Sequence, residues 1–69
     1  MRHYAVIFEK TGTGFSSYAP DLPGCVAAGR TMGETFDLMQ GAIQMHLEAM
    51  KNAGEEIPEP TTHALEMSA

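Results

Sequence analysis

From its amino end the chain reads "YAVIFE", an alternation that puts Tyr4, Val6 and Phe8 on one side of an extended segment and Ala5, Ile7 and Glu9 on the other. The side chains are β-branched or aromatic, which predicts a strand over residues 4–9. "KTGTG" follows, then "FSSYA", with Phe15, Ser17 and Ala19 facing opposite to Ser16 and Tyr18. Two glycines between two strand-like runs predict a hairpin. In "LPGC" proline presets φ and glycine supplies a positive φ, so Pro23 and Gly24 predict a type II turn. A third strand of small residues, "CVAAGR", then runs back.

Thr31 and Glu34 have capping-box spacing and predict a helix start. The helix should run from about Met32 to Asn52 and stop at Gly54. At helical spacing Phe36, Met39, Ile43, Leu47 and Met50 share one stripe, which should cover the sheet. Leu38, Ala42, Met45 and Ala49 form a second stripe, with His46 between the two. The apolar arc is wider than one sheet contact needs, so the second stripe is expected to meet a second copy or another partner, or to form a partly exposed apolar edge. Among these readings an oligomer interface is preferred, and a dimer is its simplest form. Asp37, Gln40, Gln44, Glu48 and Lys51 make the polar face. Beyond the helix, Pro58 and Pro60 predict an extended linker, and "HALEMSA" alternates weakly enough to suggest a short fourth strand after Thr61.

The expected order is therefore β-β-β-α-β in one domain over residues 1–69. A right-handed crossover beside the first strand gives sheet order 3-2-1-4, with one long helix on one face: an α+β two-layer sandwich. The uncovered sheet face should carry either Tyr4, Val6 and Phe8, or Ala5 and Ile7.

Size and charge restrict what such a domain does. A chain of 69 residues buries only about 60% of the surface its unfolded form exposes and calls for support from association. Its one cysteine, Cys25, rules out an internal disulfide and suits a reducing cytoplasm. Net charge is −5, and the four basic residues are scattered, so no direct nucleic-acid binding is expected. The acidity suits a basic partner, or serves solubility alone. No apolar run is long enough to cross a membrane.

Few residues point to catalysis. "GTGF" lacks the Lys-Ser/Thr ending of a phosphate loop and leads into a strand. Cys25 beside a turn reads as a small buried hydrophobe. His3, His46 and His63 lack metal-ligand spacing. Glu9, Asp21, Glu34 and Asp37 would need to converge to hold two metals, yet Glu34 belongs to the helix cap and Asp37 to the solvent side. Asp21 beside the turn is expected to cap backbone donors. No catalytic residue, cofactor or metal site is expected.

The order and spacing of these segments carry a family resemblance. "PDLPGC" at Pro20 to Cys25, Gly29 and Thr31 at the helix start, "AIQMHL" at Ala42 to Leu47, and "IPEP" at Ile57 to Pro60 resemble the HicB family of bacterial antitoxins over nearly the whole chain. Gly33 and Gly41 stand where that family often has glutamates. The resemblance implies a partial ribonuclease-H-like sheet-and-helix fold. It also implies that the chain neutralises a HicA toxin, a small basic ribonuclease, by binding over its active site. Glu9, Asp21, Asp37 and Glu48 are the candidate partner-binding residues. Leu38, Ala42, Met45, His46 and Ala49 are the candidate oligomer interface. Many members continue into a DNA-binding segment; a short form without one is expected here. A stand-alone oligomeric regulator or scaffold with no toxin partner is the alternative.

Overall fold

A computed structural model of the chain describes residues 2–69. Three strands, β1 (Ile7–Lys10), β2 (Phe15–Tyr18) and β3 (Val26–Gly29), precede one helix, α1 (Met32–Asn52). The strands form an antiparallel meander in the order β1-β2-β3. Ile7 pairs with Tyr18 and Tyr18 with Val26, so the three residues form a row across the sheet. Phe8, Ser17 and Ala27 form the next row, on the opposite face. This second row looks at the helix: Ser17 is buried, Ala27 packs on the core, and the Phe8 ring stacks on Phe36 with centroids 6.5 Å apart. Ile7 therefore lies on the uncovered face.

β1 is shorter than the alternation predicts because its partner runs out. Continuing the register would place Val6 opposite Ala19 and Ala5 opposite Pro20. The Ala19 amide faces β3, continuing that ladder to the Cys25 carbonyl at 3.2 Å, and the next residue, proline, has no amide to offer β1.

The loop from Ala19 to Cys25 folds as two successive turns. Leu22 donates to the Ala19 carbonyl, and Cys25 donates to the Leu22 carbonyl, each at 3.0 Å. Gly24 has φ +83°, as the type II reading of Pro23-Gly24 requires. The double turn points Leu22 inward, where it is fully buried with Ala19, Cys25 and Met39. Those four side chains are the whole buried apolar core among the described residues.

The helix begins where its cap predicts. The Thr31 hydroxyl accepts the Glu34 amide at 3.0 Å, while the Glu34 carboxylate reaches the Arg30 amide rather than that of Thr31. Its end is closed by Gly54 at φ +73°, with Gly54 N–H bonded to Lys51 and Glu55 N–H to Met50. The buried arc is rotated slightly from the predicted one. Thr35 is fully buried and Phe36 is 52% exposed, although the sequence pattern assigns Phe36 to the sheet-facing stripe. Two facts account for this. The Thr35 hydroxyl donates to the Thr31 carbonyl at 2.8 Å, so its burial strands no polar group. Gly29 lies directly against it: a Cβ there would sit 2.8 Å from Thr35 Oγ1.

The fourth strand does not form. Among the described residues the sheet has three strands, and residues 61–69 carry no regular structure. The order 3-2-1-4 is corrected to β1-β2-β3. Pro58 and Pro60 offer no amides to a ladder, and the amides of Thr61 and Thr62 are taken by the Asp21 carboxylate. Leu65 and Met67, the two apolar residues of the weak alternation, stand 87% and 89% exposed.

Candidate partner-binding site

Asp21 is the most heavily engaged of the candidate residues. Its carboxylate accepts four hydrogen bonds, from the amide and hydroxyl of Thr61 and of Thr62, at 2.8–2.9 Å. The double turn aims it outward by turning its neighbour Leu22 inward. The amide of Thr62, its hydroxyl and then the amide of Thr61 hold the Asp21 pKa down at about 2, against a smaller opposing effect of desolvation. Two further contacts pin the same returning segment: Arg2 pairs with Glu59 at 2.9 Å, and the Tyr4 hydroxyl donates to the Pro58 carbonyl. Residues 58–62 are thus clasped to the leg before β1 and to the double turn. Asp21 caps backbone donors, as expected, but donors forty residues away, and no local pattern announces Thr61 and Thr62.

The other candidates lie apart. Glu9 is exposed on the uncovered face of β1, opposite Ser16. Asp37 and Glu48 are exposed on α1, at the rims of two different grooves. One groove, of about 460 Å³, runs between β3 and the helix and is lined by Val26, Ala28, Leu38, Gly41 and Met45 with Asp37. The other, of about 440 Å³, lies between the helix and the returning segment, lined by Arg2, Gln44, Leu47, Glu48, Lys51 and Ile57. Of the five candidate interface residues, Leu38, Met45 and Ala49 are exposed, while Ala42 and His46 are half-buried. Val26, 63% exposed, joins Leu38 and Met45 along the first groove; the sequence pattern does not single it out because it sits inside a strand of small residues.

No group of three His, Cys, Asp or Glu side chains converges among the described residues. Burial pushes the Cys25 thiol up, away from the reactive thiolate. No described helix is long and apolar enough to cross a membrane.

Comparison with known proteins places the chain in a family. A family model described as the HicB-like antitoxin of bacterial toxin-antitoxin systems matches residues 4–68. The chain belongs to the HicB-like antitoxins. The antitoxin is not an enzyme. The chain is 38% identical over 55 residues to an uncharacterized 14.9 kDa protein in the rep-hol intergenic region of Haemophilus phage HP1. That match takes in 80% of this chain but 41% of the phage protein, so this antitoxin spans about two fifths of that relative's length. It is also 36% identical over 67 residues to the UPF0150 protein Ta0767 of Thermoplasma acidophilum, covering 88% of this chain and 97% of that one. Among solved structures, the HicA3 and HicB3 toxin-antitoxin complex contains a chain that superposes with a TM-score of 0.74 at 35% identity, over 87% of this chain and 70% of that one.

Proposed function

We propose that this antitoxin binds a small basic ribonuclease of the HicA type in the cytoplasm and neutralises it by covering its active site. The observation that carries the reading is the likeness to a chain of a HicA3 and HicB3 toxin-antitoxin complex at 35% identity and a TM-score of 0.74. Charge agrees with it. The chain carries net −5, and Glu9, Asp37 and Glu48 stand exposed where they can steer a basic partner. Asp21 contributes differently: it organises the returning segment, so that the surface beside the double turn is presented in one shape.

Co-expression tests this. The partner, a basic ribonuclease of the HicA type, should arrest growth alone, and growth should return when this chain is co-expressed. In binding kinetics, Glu9→Lys with Glu48→Lys should slow association and flatten its dependence on salt, leaving dissociation nearly unchanged. Growth that stays arrested despite soluble antitoxin would refute the proposal.

A further inference from the structure

We propose that the basic ribonuclease docks along the flank of α1 that faces β1, seating one aliphatic side chain in the apolar pocket that Phe8 and Phe36 help to line and laying its basic residues against the acids at the far end. The docking face rests on the toxin reading and locates it on the fold.

Two hollows lie end to end on that flank. The first, of about 70 Å³, is lined by Val6, Phe8, Phe36, Met39 and Ile43, with Gln40 as its one polar residue. The second is the groove between the helix and the returning segment, where Gln44 and Glu48 stand beside Leu47 and Ile57. Phe36, Gln40, Ile43, Leu47 and Lys51 recur at helical spacing, so both openings follow one side of the helix, over about 22 Å. The facing wall runs in step. Phe8 and Val6 line the first hollow and Arg2 the second, all at even positions of β1 and the leg before it.

The first hollow is shaped as a socket. A cavity of about 150 Å³ admits a benzene ring, so one of about 70 Å³ suits a smaller group, the end of one aliphatic side chain. Its aromatic wall is half open to solvent: Phe36 is 52% exposed while stacked on Phe8. Aromatic rings held in a fixed arrangement carry much of the binding energy when a partner covers them. The second hollow is held in shape as well, because the Arg2–Glu59 pair and the Tyr4–Pro58 hydrogen bond fix the segment that carries Ile57. Preformed walls lower the ordering cost of association. Gln40 and Gln44 add exposed amides able to meet a partner's backbone.

Charge selects the occupant. Glu48 lines the second hollow, and Glu55, Glu56 and Glu59 flank Ile57 in the chain; all four are exposed. They outnumber Arg2 and Lys51 there, and Arg2 is already paired with Glu59. A basic surface fits that end, and a second copy of this acidic chain does not. On the opposite flank the Glu34 carboxylate accepts the Arg30 amide, which leaves Asp37 as the acid lining the β3 groove.

Dissociation from a purified, catalytically inactive ribonuclease of the HicA type, followed by surface plasmon resonance, tests the docking face. Gln40→Trp fills the socket from its rim, and Phe36→Ala removes one of its walls. Each should raise the dissociation rate about tenfold or more, with unchanged circular dichroism. Gln40 is exposed on the helix, so Gln40→Trp still decides the matter if Phe36→Ala unfolds. Leu38→Ala, on the β3 side of the helix, should leave the rate unchanged. A wild-type chain that does not bind would overturn the toxin reading and this proposal with it. Tight wild-type binding that Gln40→Trp does not loosen would overturn the docking face alone, as would loss of binding in Leu38→Ala with Gln40→Trp unaffected.

Discussion

Leu22→Ala should be the most damaging single truncation in this molecule. The side chain has no exposed surface and belongs to a core of four buried apolar residues among the described residues. Removing three carbons forfeits roughly 2.4 kcal/mol of transfer free energy at about 0.8 kcal/mol per buried methylene. A cavity term adds to it, because Leu22 is pinned by the Ala19 and Cys25 turn bonds and cannot move in to refill the space. The sum is about 3–4 kcal/mol, inside the range seen for buried leucines. Against roughly 3–10 kcal/mol of total stability for a chain this size, such a loss leaves the variant marginal. Its Tm should fall by about 12–32 °C. Urea and thermal unfolding followed by circular dichroism, at one fixed chain concentration, measure it; self-association would otherwise shift Tm with concentration. Leu65→Ala, at a site 87% exposed, is the control and should stay within about 0.5 kcal/mol of wild type. A loss below about 1 kcal/mol for Leu22→Ala would mean that the double turn is not part of the core, and the account of how Asp21 is aimed would fail with it.

Asp21 sits below its ordinary pKa of 3.8, at about 2, so the clasp stabilises fully above the ordinary value and is lost as pH falls through about 2; hydrogen exchange at Thr61 and Thr62 should speed up in that window, and Asp21→Asn should leave these amides fast at neutral pH with no acid transition. Thr31→Ala removes the acceptor for the Glu34 amide and should cost about 1 kcal/mol in urea unfolding, an unchanged midpoint counting against the cap. Gly29→Ala forces a methyl to within 2.8 Å of the Thr35 hydroxyl and should destabilise even though alanine suits a strand no worse, whereas Gly41→Ala, with open space around it, should stabilise the monomer by about 1 kcal/mol. RNA incubated with the purified chain and magnesium or manganese should stay intact, and metal-dependent cleavage abolished by Asp21→Asn would contradict the binding-module reading.

What could be read from the sequence was mostly local. The Thr31 cap, the Gly54 stop and the Pro23-Gly24 turn each depend on neighbours within a few residues, and the helix spans Met32–Asn52 as its pattern predicts. Errors arise where a distant partner decides. Whether Thr35 or Phe36 faces the sheet depends on Gly29 giving the helix room, which periodicity alone cannot register. The absent fourth strand is the same kind of case: the amides of Thr61 and Thr62 had an alternative acceptor forty residues earlier in Asp21. For the binding surface, charges were visible and their grouping was not. Glu9, Asp21, Asp37 and Glu48 look alike as exposed acids in a sequence, yet one is tied up in a clasp and the other three stand on separate faces.

The central claim is neutralisation, and an RNA-cleavage titration addresses it most directly. A purified basic ribonuclease of the HicA type, the proposed partner, is held at fixed concentration with a labelled RNA, and the antitoxin is added in steps. Cleavage should fall in proportion to added chain and stop when one antitoxin chain is present per toxin, with a catalytically dead toxin competing for the inhibitor. Cleavage that continues at full rate with the antitoxin in large excess would contradict the account.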